Sequence, residues 1–232
     1  MRKRARFLGF LFLLLMAAGI LVAVARLGLI PRAYDPLSPI DLTVPPNTVT
    51  GVKLWLMEGD VPACLQALER AGVAVRPQVP RREPPDCSRE GTVEVSKLWR
   101  AGLDPEVMQC GIALRLYLFE RHGLQPLARR YFGSAVERIT HFGSYSCRRK
   151  RGGGSMSEHA TANAFDISGF RLANGQVVSL KKDWTSGGPS SRFLRDVRIN
   201  ACLLFNMVLG PDYNADHADH FHVDMGWAMG CH

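Results

Sequence analysis

The sequence predicts an α+β fold, a small antiparallel sheet carrying a histidine cluster and backed by helices. Three observations support this. From His220 to Met225 polar and apolar residues alternate, the period of a half-buried strand. Ala164, Asp166 and Ser168 alternate in the same way with Phe165 and Ile167. Two stretches, around 105–121 and 191–209, instead space their apolar residues as helices do. With 232 residues, 47% of them hydrophobic, the chain can form one good-sized domain with appendages.

The N-terminus opens on Arg2-Lys3-Arg4-Ala5-Arg6, and an uncharged apolar run extends from Phe7 to Ala25. A basic head before an apolar core makes an export signal. Ala23-Val24-Ala25 resembles a cleavage site, yet the run is long for a removed signal and just long enough to span a bilayer. The expectation is a membrane anchor over 1–26, with a cleaved signal peptide as the alternative. The positive-inside rule places the basic head in the cytoplasm and everything after Arg26 outside it. The net charge of +8 partly reflects this head. Without Arg2, Lys3, Arg4, Arg6 and Arg26, 24 basic residues face 21 acidic ones. That balance does not argue for nucleic acid as a partner.

Cys64, Cys87, Cys110, Cys147, Cys202 and Cys231 fit an oxidising compartment. Their even number, wide spacing and lack of a Cys-x-x-Cys pair read as three disulfides rather than a zinc-thiolate site. Many pairings are open; the expected set is Cys64–Cys87, Cys147–Cys202 and Cys110–Cys231, the first because it is local.

Residues 27–50 hold Pro31, Pro36, Pro39, Pro45 and Pro46 and read as a linker. Residues 51–100 read as an N-terminal extension or subdomain, and 101–232 as the domain carrying the site. A helix is expected from Asp60, its N-cap, to Arg70, ended by Gly72. Val73–Val75 and Val93–Val95 are candidate strands, and 76–86, rich in proline, is a loop. Asp104-Pro105 is expected to start a helix, with proline at its first position and Gly123 as its stop. Pro126–Phe132 reads as a further helical piece, and Val136–Phe142 as a strand. Arg148–Ser155, basic and glycine-rich, is a loop. It is either simply solvated or a rim that attracts an anionic substrate. It is not a phosphate loop, because no lysine–serine or lysine–threonine pair follows at the required spacing. Asn174-Gly175 signals a hairpin between the strand at 164–168 and one at 176–180. A helix from Ser191 to Leu209 is expected to stop at Gly210-Pro211.

Chemistry concentrates near the C-terminus. His217, His220 and His222 lie within six residues. On a strand His220, His222 and Asp224 share one face, which makes part of a metal site. The plain alternative is a surface strand with incidental histidines. His159 and Asp166 join these candidates, since hydrolytic zinc commonly takes three histidine or carboxylate ligands and keeps one position open. Asp166 sits among apolar neighbours, where a carboxylate is costly unless paired or bound to metal. The alternative there is a hydrogen-bonded core aspartate.

Ser157-x-His159, then Asp166, then His220-x-His222 resembles the LAS group of zinc peptidases. That group includes D-Ala-D-Ala metallo-carboxypeptidases and penicillin-insensitive murein endopeptidases, and the hedgehog domain shares its fold. A closer resemblance is to the bacterial extensin-like C-terminal domain family. It is carried by Gly143-Ser144-Tyr145-Ser146-Cys147-Arg148, Ser157-Glu158-His159-Ala160, Asn163–Phe170, Ala201-Cys202, Leu209–Asn214 and His217–Asp224, over roughly residues 60–231. The resemblance implies a hedgehog/DD-peptidase-like fold with Zn2+ held by His159, Asp166 and His222. It makes His220 and His217 the extra, catalytic histidines of a His-x-x-His-x-His pattern. The peptidase pattern has glycine where this chain has Ala162, and only a small backbone adjustment is expected. Asp224, on the ligand face, is expected to accept an imidazole N–H. Arg148 is expected to receive a substrate carboxylate, or else to be a solvated charge. Ser157 and Glu158 are expected to shape the turn before His159. The implied function is zinc-dependent amide hydrolysis in peptidoglycan peptides, of endopeptidase or DD-carboxypeptidase type. The implied place is the bacterial envelope, anchored in the inner membrane or secreted to the periplasm. The alternative is a non-catalytic peptidoglycan-binding or structural envelope module of the same fold.

Overall fold

A computed structural model describes residues 2–81 and 86–232. Pro84 and Pro85, read above as loop residues, lie outside these. The architecture is α+β. Helix α1 (Arg2–Arg26) contains a 19-residue stretch, Arg6–Val24, of mean hydropathy 2.8 with none of it buried. It is long and apolar enough to cross a membrane. The segment after it is not a free linker, since Ile40 and Leu42 are buried in the common core. A short helix that the sequence reading missed, α2 (Thr50–Leu56), follows. Helix α3 (Val61–Arg70) starts where Asp60 accepts a hydrogen bond from the Ala63 amide at 3.0 Å, as its N-cap role requires.

The sheet is mixed and open rather than small and antiparallel. Among the described residues its nine strands are β1 (Val75–Pro77), β2 (Thr92–Lys97), β3 (Gly102–Gln109), β4 (Val136–Gly143), β5 (Ala164–Leu172), β6 (Val177–Ser179), β7 (Met207–Leu209), β8 (Phe221–Asp224) and β9 (Gly230–Cys231). They run in the order β1-β2-β3-β4-β5-β8-β7-β9, and β6 also pairs with β5. Only β3–β4 and β7–β9 are parallel among the described pairs. The stretch 51–100 adds β1 and β2 to the same sheet that carries the histidines.

Two helix boundaries differ from expectation. Asp104-Pro105 lies in β3, and helix α4 (Cys110–Phe119) begins later. The β2–β3 register shifts between Val95 and Lys97, and Pro105 falls opposite that irregularity. A residue without an N–H is tolerated where the ladder is already interrupted. Gly123 does not stop the helix. A π-helical turn (Glu120–Leu124) carries it into α5 (Gln125–Phe132). Gly123 serves close approach instead, because a Cβ there would lie 3.1 Å from Asn200 Oδ1.

After β6 comes α6 (Leu180–Asp183), then α7 (Pro189–Cys202), which ends well before Leu209. Met207–Leu209 instead form β7 between β8 and β9, with Val208 fully buried. A three-residue apolar run cannot reveal by period whether it is helix or strand. The Asn174-Gly175 hairpin is present, with Gly175 at φ 87°.

The core lies where the sheet meets α4, α5 and α7. Helix α4 is buried almost all round, and Phe193 of α7 meets Tyr131, Phe132 and Phe170 edge-on.

The disulfides are Cys64–Cys110, Cys87–Cys147 and Cys202–Cys231, so none of the three expected pairings is correct. Proximity in space, not in sequence, decides. Helix α3 packs on α4 and brings Cys64 to its first residue. The end of α7 meets β9. Ser88 N–H donates to the Ala160 carbonyl at 3.1 Å and Ser146 N–H to the His159 carbonyl at 3.0 Å, so the segments carrying Cys87 and Cys147 meet on one turn.

Candidate functional site

Strands β5 and β8 are antiparallel neighbours in the middle of the sheet, and Asp166 stands directly opposite His222. Phe165, Ile167, Phe221 and Val223 turn into the core, so Asp166, His222 and Asp224 project from the other face. His159 comes from a one-turn 3₁₀ helix (Glu158–Thr161) capped by the Ser157 hydroxyl, which accepts from the His159 amide at 3.3 Å. That turn ends at Ala162, the one non-glycine residue at positive φ among the described residues, at φ 55°. The backbone thus keeps the left-handed conformation that glycine would adopt with less strain. Its amide donates to the His159 carbonyl at 3.1 Å, holding the histidine turn closed.

Three donor atoms converge. Asp166 Oδ1 lies 2.9 Å from His222 Nδ1 and 3.2 Å from His159 Nε2. The two ring nitrogens are 3.1 Å apart. All three atoms lie within 4.8 Å of one another, and by type and spacing they can hold a metal ion.

The opposite ring nitrogens are both engaged. His159 Nδ1 lies 2.7 Å from the Ser144 carbonyl, and His222 Nε2 lies 2.9 Å from Asp224 Oδ2. A carbonyl and a carboxylate only accept, so the protons belong on those nitrogens. His159 Nε2 and His222 Nδ1 are thereby left to offer lone pairs to one point. Without a cation, a proton takes its place. Burial opposes charge on His222, but its bonds to Asp166 and Asp224 outweigh that and push its pKa up to about 9. Burial likewise opposes charge on Asp166, and the bonds from His159 and His222 overcome it, holding the carboxylate well below its usual range.

His220 and His217 form an outer layer. His220 Nε2 is 3.7 Å from Asp166 Oδ1, while its Nδ1 lies 3.0 Å from Asp219 Oδ1. His217 stacks obliquely on His220 at 5.2 Å and edge-on to His222 at 5.8 Å. Burial and then the neighbouring His220 and His222 lower the His217 pKa to about 4. Phe142 and Tyr213, both exposed, meet His220 and His217 edge-on.

Arg148 is exposed on the loop after β4. Its carbonyl accepts from the Ser157 amide at 3.1 Å, so its backbone lies beside the His159 turn. In the same loop Arg151 pairs with Asp216, next to His217. Glu158 accepts from Asn163 at 2.7 Å, consistent with a turn-shaping role.

Sequence reading missed Ser144 and Asp219. Ser144 acts through a backbone carbonyl, which no side-chain pattern reveals. Its buried hydroxyl donates to the Ala164 carbonyl at 2.6 Å and fixes that carbonyl's approach. Asp219 does have a visible signal, adjacency to His220.

No curated protein and no solved structure matches the chain at a meaningful level of similarity. Residues 62–232 match the model of the family described as extensin-like protein C-terminus, and these include every residue of the histidine site. The chain belongs to the extensin-like C-terminal family.

Proposed function

We propose that the protein is a zinc-dependent peptidase of the cell envelope that hydrolyses amide bonds in peptidoglycan peptides. The observation that carries this reading is the convergence of His159 Nε2, Asp166 Oδ1 and His222 Nδ1, with the far ring nitrogens held by Ser144 and Asp224. Buried imidazoles oriented by outer acceptors are the usual support of a catalytic metal site. His159, Asp166 and His222 would hold the zinc ion, which would supply the Lewis acidity needed to polarise an amide carbonyl and acidify water.

The chain's own groups do the rest. Asp219 holds His220 Nδ1, so Nε2 faces the site and can take a proton from the attacking water and return it to the leaving amine. His217, kept neutral by burial and its neighbours, gives its one N–H from Nδ1 to Asn214 Oδ1 at 2.7 Å, so its Nε2 can accept from a substrate N–H and orient it. Arg148 stands on a loop beside the His159 turn, where a guanidinium can receive a peptide carboxylate bidentately. Three disulfides and the apolar helix α1 suggest an envelope or secreted protein, which suits this substrate.

The test uses the full chain, purified in detergent under oxidising conditions, with metal measured by elemental analysis. Purified murein is then digested with and without a chelator. The expected result is one zinc per chain and new muropeptides that disappear with chelator. Lack of stoichiometric zinc sinks the metal reading; zinc without new muropeptides leaves a binding module. His222→Ala is expected to lose zinc, whereas His220→Ala keeps zinc and loses turnover. Equal zinc loss in both would mean the roles are misassigned.

A further inference from the structure

A cavity lies away from the histidines, in the segment that follows α1. It has about 500 Å³ and is lined by parts of the segment before α2, among them Arg32 and Asp41, by Lys53 of α2, Arg70 of α3 and Leu118 of α4. Its charge is one-sided, with Arg32, Lys53 and Arg70 against Asp41. Asp41 is already committed, because its Oδ1 accepts from the Thr43 amide and hydroxyl at 2.8 and 2.7 Å.

Lys53 is the unusual member. It is only 6% exposed, yet no carboxylate lies within ion-pair distance of it among the described residues. Its ammonium donates to the Arg32 carbonyl at 2.7 Å and to Ser38 Oγ at 2.9 Å. Both acceptors are neutral, and an ammonium has a third N–H to place. Asp35 and Asp41 act on it only from beyond ion-pair distance, and burial outweighs them, so its charge is incompletely offset. An anion entering the cavity would complete the offset.

The location narrows the anion. Arg32 follows the last residue of α1, Arg26, by six positions, so it lies at most about 20 Å from the helix end. The Tyr34 and Asp35 amides fold back on the Pro31 carbonyl and shorten that reach. An adjoining groove shares Lys53 and Arg70 and is lined by Leu37 and Leu56, 58% and 51% exposed. Cations within and exposed apolar side chains beside them match the boundary between lipid headgroups and acyl chains.

We propose that this cavity binds the phosphodiester headgroup of an anionic phospholipid from the adjacent leaflet. Lys53, Arg32 and Arg70 take the phosphate, and Leu37 and Leu56 lie against the first acyl carbons. The proposal rests on α1 staying in the membrane and is independent of any metal or peptidase activity.

The experiment is native mass spectrometry of the full chain, delipidated in detergent. It is titrated with dioleoylphosphatidylglycerol, dioleoylphosphatidylcholine or inorganic phosphate. One phosphatidylglycerol is expected to bind about tenfold more tightly than phosphatidylcholine, and Lys53→Met to remove that preference. Because Lys53 also ties α2 to the preceding segment, Arg70→Gln on the exposed side of α3 is the second variant. It is expected to weaken phosphatidylglycerol binding about threefold with an unchanged thermal midpoint. Equal binding of the two lipids overturns the proposal, as does an Arg70→Gln variant that keeps the full preference. Inorganic phosphate displacing the lipid at equal concentration makes this a small-anion site and also overturns it. Recovery of the chain in the soluble fraction after alkaline extraction of membranes removes its premise.

Discussion

Glu120 and Asp166 are both carboxylates withdrawn from water, and their surroundings differ. Glu120, fully buried, accepts from the amides of Trp99, Arg100 and Ala101 at 2.9–3.3 Å and from Gln125 Nε2 at 2.5 Å. Those partners are neutral and fixed. Gln125 is itself locked by the Val136 amide and carbonyl, so the cage ties the 99–101 turn to the start of β4. Asp166, 13% exposed, has three imidazoles around it instead. Their charge can change with pH, and they can ligate a metal. Burial raises the Glu120 pKa against its hydrogen bonds, whereas Asp166 is driven down by its histidines. One carboxylate is finished by the fold. The other is left with partners that a proton or a cation can rearrange.

The largest expected effect breaks the structural side of this contrast. Glu120→Ala leaves several buried donors without an acceptor and should lower stability by roughly 4 kcal/mol. Urea unfolding measures it, and the surviving folded fraction should still bind zinc with unchanged affinity. A loss of zinc affinity in that fraction would mean the two regions are coupled. Asp166→Asn is the counterpart. It should weaken zinc binding more than about a hundredfold, read by competition with a chromophoric chelator, while lowering stability above about pH 9, where His222 is neutral, by only about 1 kcal/mol. A large stability loss would make Asp166 another core carboxylate.

Acidity separates the regions next. The folded pKa of His222, about 9, lies above its ordinary value of 6.5. Its contribution in the metal-free protein is therefore complete below about pH 6.5 and is lost as pH rises through about 9. The change is roughly 3 kcal/mol, read by urea unfolding at intervals across that window. Saturating zinc competes for the same nitrogen and should flatten the curve. Identical curves with and without zinc would count against His222 as a ligand. The smallest effect belongs to Asp219→Asn, which leaves the zinc ligands in place. It should keep zinc and lower murein turnover about tenfold through the orientation of His220. Zinc loss in that variant would move Asp219 from positioning His220 to supporting the ligands.

Much of the site was legible because strand faces follow a period of two. His222 and Asp224 share a face and bond to each other at 2.9 Å, as the alternation from His220 onward predicted. The Asp60 cap and the Asn174-Gly175 hairpin were legible for the same reason, being set within a few residues. Asp104-Pro105 misled because proline opens helices and also sits at sheet irregularities. The expected helix from Ser191 to Leu209 ran too far because Leu204 and Val208, beyond the end of α7, satisfy a helical period by coincidence.

The chain's local pattern, by itself, determined which side chains share a face and where most turns fall, since these depend on backbone geometry over a few bonds. Only the tertiary structure decided that Asp166 faces His222, that Ser144 lends its carbonyl to His159, and that Cys64 meets Cys110. It also decided that Lys53 is buried with its ammonium on two neutral oxygens. Such contacts join residues far apart in the chain, and they arise from how helices and strands fill one core, which no short-range period encodes.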